Sequence, residues 1–349
     1  MKNYEGAVKM KKALMFALTV VMVCGTFAFA ALTVTCASST AAPAAIADAS
    51  FNLETRTVTL NNGIEMPVLG LGTYLLTPEQ TENSVYHALS YGYRLIDTAN
   101  AYMNERAIGR GIQRSGVPRE EIFVITKLWP PDYVDTERAI NETLARLGFD
   151  YIDLLLLHQP YGDYVEGYKG MEAAVRQGKV RSIGLSNFYG RRLDEIISIA
   201  TIPPAVVQVE SNPFFQNNAL REYVKPYGIA MNAWFPLGGR IDERNPSTST
   251  QTLLFNNETI VEIAAVHNKT PAQVILRWHL QVGNIAIPGS ANPAHILENI
   301  SIFDFALTDG EMQRLSTLET GITAYDFSNL DEQPRFSTFE VPIDFNNQE

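Results

Sequence analysis

Four side chains of complementary chemistry sit at corresponding places in this sequence. Asp97 ends an apolar run over residues 93–97, and Tyr102 lies on the loop that follows. Lys127 ends the run 122–127, and His158 ends the run 151–158. A carboxylate or an ammonium at the end of a buried strand is costly unless it is paired. Asp97 and Lys127 are therefore expected to meet. An ion pair, a phenol and an imidazole on one rim make a proton-transfer set, with Tyr102 as the acid. A free phenol has a pKa of about 10, too high for an efficient acid near neutrality. A neighbouring Lys127 ammonium is expected to lower it. Two units of lowering would correspond to roughly 2.7 kcal/mol.

Each residue also has a plain structural reading. A strand-end Asp–Lys pair often only holds a fold together. A single tyrosine is more often a packed aromatic, and a histidine after a leucine run is usually a core residue. The coincidence of all four at successive strand ends favours the chemical reading.

The elements that would hold such a set follow from the alternation along the chain. Strand-like apolar runs occur at 68–71, 93–97, 122–127, 152–158, 180–187, 205–210, 229–234 and 284–288. Helical patterns lie between them. Asp135 is placed to cap a helix whose Ile140, Leu144 and Leu147 share a face, and Gly148 stops it. Leu193, Ile196, Ile197 and Ala200 form another apolar stripe. Thr270-Pro271-Ala272-Gln273 reads as a capping box, and Asn292-Pro293 as a helix start. Asn62-Gly63 marks a hairpin before the first run. Near-continuous apolar strands imply a parallel sheet buried on both faces. Eight strand–helix units over about 250 residues imply an α/β fold, a (β/α)8 TIM barrel, with its site at the C-terminal strand ends. An open doubly wound sheet would carry a glycine-rich turn opening a helix after its first strand. Gly70-Leu71-Gly72-Thr73 lacks the third glycine.

The 349 residues are 46% hydrophobic, so a sizeable core is expected. A formal net charge of -11 argues against a nucleic-acid partner. The two cysteines, Cys24 and Cys36, both lie in the first 50 residues, which excludes a disulfide framework or cysteine zinc site in the body. Residues 1–50 read as a signal peptide or membrane anchor followed by a flexible linker. Lys9, Lys11 and Lys12 precede an uncharged run from 13 to 35, and residues 38–50 are rich in Ala, Ser and Pro. That pattern places the body outside the cytoplasm, in the cell envelope, with membrane contact through the apolar segment. Met10 is an alternative start, and a chain without the leader would be cytoplasmic. The barrel is expected over 51–320 and a C-terminal tail over 321–349, folding across the active-site rim.

The motifs GYRLIDTANAYMNE, FVITKLW, DLLLLHQP, IGLSNF and AWFPLG occur in that order at the strand ends. Together they resemble the aldo-keto reductase family from about Asn61 to Phe305. HQP and AWFPLG look like its bacterial diketogluconate-reductase-like branch. The resemblance implies reduction of an aldehyde, ketone or keto-sugar with NADP(H) or NAD(H), without a metal, by a monomer. Asp97, Tyr102, Lys127 and His158 match the catalytic positions, with His158 orienting the carbonyl. The chemistry is coherent on its own terms. Hydride arriving at carbonyl carbon leaves charge on oxygen, which Tyr102 would protonate and His158 would stabilise.

For the cofactor, the resemblance implies Gly72 and Thr73 on the first strand end. It implies Ser186, Asn187 and Gln208 around the nicotinamide carboxamide and Trp234 stacked on the ring. Leu237 and Gly238 match the pyrophosphate loop, and Ser290, His295, Glu298 and Asn299 the adenosine end. Tyr74 and Trp129 match substrate-facing aromatics. One departure stands out. Many NADPH-dependent members carry a lysine and an arginine where this chain has Gly289 and His295. Two cations for a 2′-phosphate are missing, so NADH is expected to serve at least comparably to NADPH. Two rival readings stay open: a barrel that binds NAD(P)H only as a sensor or accessory subunit, and a hydrolase on the same fold. The hydrolase would want paired carboxylates or metal ligands at the strand ends.

Overall fold

The computed structural model describes residues 49–239, 249–325 and 327. The leader with Cys24 and Cys36, and the tail beyond Phe327, lie outside them. Among the described residues no helix is long and apolar enough to cross a membrane.

Three short antiparallel strands come first: β1 (Ser50–Asn52), β2 (Thr57–Thr59) and β3 (Glu65–Pro67). The hairpin expected at Asn62-Gly63 joins β2 to β3, with Gly63 at φ +82°. Ser50, expected to end the linker, instead pairs with Thr59. Val58, Leu60 and Met66 are fully buried. Asn61 and Asn62 donate to Pro204 O (2.9 Å) and Ser182 Oγ (2.9 Å). Both acceptors lie at or near strand starts, so the hairpin sits on the N-terminal end of the barrel.

The barrel strands are β4 (Leu71–Gly72), β5 (Leu95–Asp97), β6 (Phe123–Leu128), β7 (Ile152–Leu157), β8 (Val180–Ser186), β9 (Val206–Glu210), β10 (Ala230–Trp234) and β11 (Asn284–Ala286). They pair in parallel in chain order. Parallel bridges Leu69–Ala286 and Gly72–Gly289 join the first strand to the last and close the ring. Gly70 N donates to Ala286 O at 2.9 Å, and Gly72 N to Pro288 O at 3.1 Å. Glycine lets the two strands approach closely at this seam. A Cβ on Gly72 would lie 2.6 Å from Ile287 O, and one on Gly289 would lie 2.9 Å from Gly72 O. Strands β5, β6 and β7 are buried along their whole length, as a doubly covered parallel sheet requires.

Helices fill the connections: α1 (Pro78–Ser90), α2 (Glu105–Ser115), α3 (Thr136–Leu147), α4 (Tyr164–Arg176), α5 (Gly190–Ile199) and α6 (Asn218–Val224). They continue with α7 (Thr250–Phe255), α8 (Glu258–His267), α9 (Pro271–Gln281), α10 (Pro293–Ile300) and α11 (Asp309–Ser316). The start and stop signals act as expected. Asp135 accepts from Arg138 N, and Gly148 ends α3 at φ +73°. Thr270 and Gln273 form the capping box of α9, and Asn292 caps α10. The fold is a (β/α)8 barrel.

Candidate active site

Three adjacent strands and one loop deliver the four expected residues to the C-terminal rim. Lys127 Nζ donates to Asp97 Oδ1 (2.7 Å), Thr98 O (2.8 Å) and Tyr102 Oη (3.3 Å). An ammonium has three hydrogens, so each of Lys127's has an acceptor. Gln208 Nε2 donates to the other Asp97 oxygen at 2.7 Å. Tyr102 ends a short 3-10 turn over Asn100–Tyr102, and Met103 follows at φ +58°. Asn104 fixes that loop from below, accepting from Thr98 Oγ1 (2.7 Å) and donating to Thr73 O (3.0 Å). Beside Lys127, Thr126 donates to Glu105, which is also paired with Arg146 at 2.7 Å. That second buried ion pair ties α2 and α3 to β6.

The electrostatics differ from expectation at Tyr102. Burial raises its phenol well above the usual value, and the Asp97 carboxylate and Tyr74 add to the rise. The expected lowering by Lys127 is overturned. The ammonium is already neutralised by Asp97 at 2.7 Å, so little net positive charge reaches the phenol. Burial also raises the Asp97 carboxyl and lowers the Lys127 ammonium, and each opposes that shift in the other. Tyr102 therefore keeps its proton through the neutral range. Because its oxygen accepts from Lys127, its own O–H is left to donate elsewhere.

His158 is buried, and burial together with Lys127 pushes its pKa well below the ordinary value, so the ring is neutral. Its ring stands edge-on to Tyr102 (5.6 Å between centroids) and to Trp129 (4.8 Å). Aromatic contacts continue on both sides. Trp129 meets Tyr161 at 6.4 Å. Tyr102 meets Tyr74 at 5.0 Å, Tyr74 meets Phe235 at 6.3 Å, and Phe235 meets Trp234 at 5.0 Å. Trp234 meets Tyr325 at 6.3 Å, and Tyr325 meets Phe327 at 6.2 Å.

The expected cofactor residues fall into two groups. Ser186, Asn187, Gln208 and Trp234 lie at the ends of β8, β9 and β10. Asn187, at φ +65°, donates to His158 O (3.2 Å) and Gln159 Oε1 (3.3 Å) and accepts from Trp234 Nε1 (2.9 Å). It sets the indole's orientation, and its amide hydrogens face protein. Gln208 spends one amide hydrogen on Asp97 Oδ2 at 2.7 Å. Thr73 donates to Asp97 O at 2.9 Å, and Gly72 is part of the closure seam. Leu237 and Gly238 follow β10, with Gly238 at φ +80° and tight against the start of α7: an added Cβ would lie 2.7 Å from Gln251 N. The second group follows β11. Ser290 Oγ accepts from Asn292 N at 3.0 Å. His295 is exposed on α10, Asn299 is buried there, and Glu298 accepts from Thr270 Oγ1 at 2.7 Å. Of these groups, the indole of Trp234 and the N-terminus of α10 are of the kind a nicotinamide ring and a phosphate would meet.

Several contributors were not singled out from sequence. Thr98 acts through its carbonyl, which no side-chain pattern reports. Glu210 lies two residues after Gln208, and the period of two along a strand would have placed it on the same inward face. His279, fully buried on α9, supports the loop after β10. Its Nε2 donates to Pro236 O (3.0 Å), and Asn284 donates to its Nδ1 (3.2 Å). Burial, with Arg221 nearby, lowers its pKa from 6.5 to about 3. The unfolded chain therefore binds more protons between those values, so stability falls as the pH drops from 6.5 towards 3. The loss would be on the order of 5 kcal/mol. Unfolding midpoints measured across that window should fall more steeply in the parent than in His279→Gln. Parallel slopes would refute the assignment.

The comparisons with known proteins agree with this geometry. The Aldo/keto reductase family matches residues 68–320, and the chain belongs to that family. It is an oxidoreductase. It is similar to morphine 6-dehydrogenase of Pseudomonas putida, with 44% identity over 271 residues, 76% of this chain and 92% of the relative. It is 42% identical to glyoxal reductase of Bacillus subtilis (strain 168) over 266 residues, 75% of this chain and 92% of the relative. Among solved structures, an aldo-keto reductase enzyme from a Medee basin deep-sea metagenome library superposes with a TM-score of 0.72 at 40% identity, covering 77% of this chain and 97% of that one. Neither of the two named relatives is a diketogluconate reductase, so these names leave the branch expectation unsupported.

Proposed function

We propose that the protein reduces aldehydes, ketones or keto-sugars to alcohols with NAD(P)H, Tyr102 being the proton donor. The observation that carries this is the sharing of the Lys127 ammonium among Asp97, Thr98 O and the Tyr102 oxygen. It leaves the phenol protonated, with its hydrogen directed away from Lys127. NAD(P)H, when bound beside Trp234, would supply the hydride. His158, neutral, donates a hydrogen bond to the substrate oxygen and fixes its direction. Tyr102 protonates that oxygen as charge develops. An alkoxide is a much stronger base than a phenolate, so a phenol with a raised pKa is acid enough. Lys127 keeps its hydrogen bond to the phenolate oxygen left behind, and Asp97 holds Lys127 in place. A sensor without turnover would need the indole and amide groups but not this relay.

Relatives named for glyoxal and for morphine bracket a wide range of substrate size. The test is a panel of a small dicarbonyl, an aromatic aldehyde and a keto-sugar with each cofactor. Absence of turnover on all three would leave only cofactor binding. For the cofactor, we expect kcat/KM with NADH to lie within about tenfold of that with NADPH, since a charge-assisted bond contributes about 1.5–3 kcal/mol. The cations absent at Gly289 and His295 are the reason. His295→Arg should shift the ratio towards NADPH by about tenfold or more. Gly289→Lys is a poor companion, because its Cβ would press on Gly72 O at 2.9 Å. A preference for NADPH above about a hundredfold in the parent, or roughly 2.7 kcal/mol, would overturn the cofactor reading.

The basic and then apolar leader supports a place in the cell envelope. Fractionation of cells expressing the full chain tests it. A cytosolic protein that retains the leader would defeat it.

A further inference from the structure

Residues 319–325 run across the C-terminal rim as a strap tied down at two places. At one end, Gln216 N donates to Glu319 Oε2 (2.6 Å), and Thr320 N and Gly321 N donate to Phe214 O (3.0 and 3.1 Å). At the other, Thr323 Oγ1 and Ala324 N donate to Glu210 Oε2 (2.6 and 2.8 Å), and Tyr325 N donates back to Thr323 Oγ1 at 3.3 Å. Glu210 is 2% exposed, and its Oε1 has no hydrogen-bond partner among the described residues. A carboxylate is costly to bury, and here burial pushes it up to about 7 against the pull of the Thr323 and Ala324 bonds. Its place is specific. It stands opposite Trp234 in the β9–β10 register. The strap it holds sets the Tyr325 ring 6.3 Å from the Trp234 ring. Trp234 itself is fixed by Asn187, beside the proton-transfer set.

We propose that Glu210 is a positioning residue that determines substrate specificity: its carboxylate fixes the 323–325 strap and so makes Tyr325 one wall of the site. This rests on the reductase reading. Tyr325 continues the aromatic arc on the Trp234 side and limits the bulk that fits against it. Removing the anchor frees the wall without touching Tyr102, Lys127 or His158. The effect is therefore expected in KM for bulky carbonyl substrates rather than in kcat for small ones.

The test compares Glu210→Ala with Glu210→Gln in the full chain. Glutamine keeps one carbonyl oxygen for the two strap donors, whereas alanine keeps none. For Glu210→Ala we expect the ratio of kcat/KM for a polycyclic ketone over glyoxal to rise at least tenfold, through KM. Glu210→Gln should stay within about threefold of the parent, and Tyr325→Ala should reproduce the alanine result. Chymotrypsin gives a readout free of catalysis: cleavage after Tyr325 should be at least tenfold faster in Glu210→Ala and near the parent rate in Glu210→Gln. If Glu210→Ala does not fold, Thr323→Val removes a strap donor instead and should speed the same cleavage. Unchanged selectivity and unchanged cleavage in Glu210→Ala would overturn the proposal. So would a glutamine variant as altered as the alanine one in both. If the parent reduces no carbonyl, the reductase reading falls separately, and the cleavage rates still decide whether Glu210 holds the strap.

Discussion

Tyr102→Phe is expected to lower kcat for carbonyl reduction by about a thousandfold, within the range by which a positioned general acid accelerates a reaction. The substitution removes one oxygen and little else. The ring keeps its contacts with Tyr74 at 5.0 Å and His158 at 5.6 Å. Lys127 keeps Asp97 and Thr98 O as acceptors and loses only its bond of 3.3 Å. Stability should therefore fall by only about 0.5–1.5 kcal/mol, the usual contribution of one hydrogen bond. Cofactor affinity, read from quenching of indole fluorescence, should stay within about twofold, because neither Trp234 nor Asn187 touches the phenol oxygen. A kcat within tenfold of the parent would remove Tyr102 from the role of proton donor. His158 would then have to supply the proton, although burial keeps its ring neutral.

Lys127→Met should be the most damaging single change to stability. It leaves Asp97 buried, with Gln208 as its remaining side-chain donor among the described residues. Breaking a buried ion pair from one side costs about 3–5 kcal/mol, because the remaining charge is stranded. The Asp97 carboxyl, already raised by burial, would rise further and take up a proton. Activity should fall as well, since the hydrogen bond from Lys127 to the oxygen of the phenolate that Tyr102 becomes is lost. The double variant Asp97→Asn/Lys127→Met separates the two effects. It removes the stranded charge and should recover more than half of the lost stability, yet recover no activity. Denaturant melts of the parent, single and double variants measure the first, and steady-state rates the second. A single variant within about 1 kcal/mol of the parent would show that the pair holds less than its burial implies.

Much of this arrangement was legible in the sequence because it is written locally. Apolar runs mark strands, and where a run stops at a charged or aromatic residue, the rim begins. That placed Asp97, Lys127 and His158 on successive strand ends without any knowledge of distance. Asp135, Thr270 and Asn292 marked helix starts because a cap acts on backbone donors only two or three residues away. The hairpin at Gly63 was equally local, since a positive φ is a property of one residue. The first barrel strand was read less well. Residues 68–71 were expected as one strand, but β4 covers Leu71–Gly72, while Leu69 bridges the last strand instead. A strand at a closure seam pairs with one neighbour 25 positions on and with another 217 positions on, and no local period records that.

The sequence by itself determined the barrel, the order of its units and the identity of the four rim residues. All of these follow from side-chain type and short-range spacing. Only the tertiary structure decided how the residues behave together. It raised the Tyr102 phenol where a nearby lysine suggested lowering, because Asp97 neutralises that lysine first. It gave Gly289 a steric reason, the approach of Gly72 O to 2.9 Å from any added Cβ, where the sequence suggested only a missing cation. It joined Glu210 to the strap across 113 positions, and His279 to Pro236 across 43. Ionisation and close approach depend on distances between groups far apart in the chain, and folding alone sets those distances.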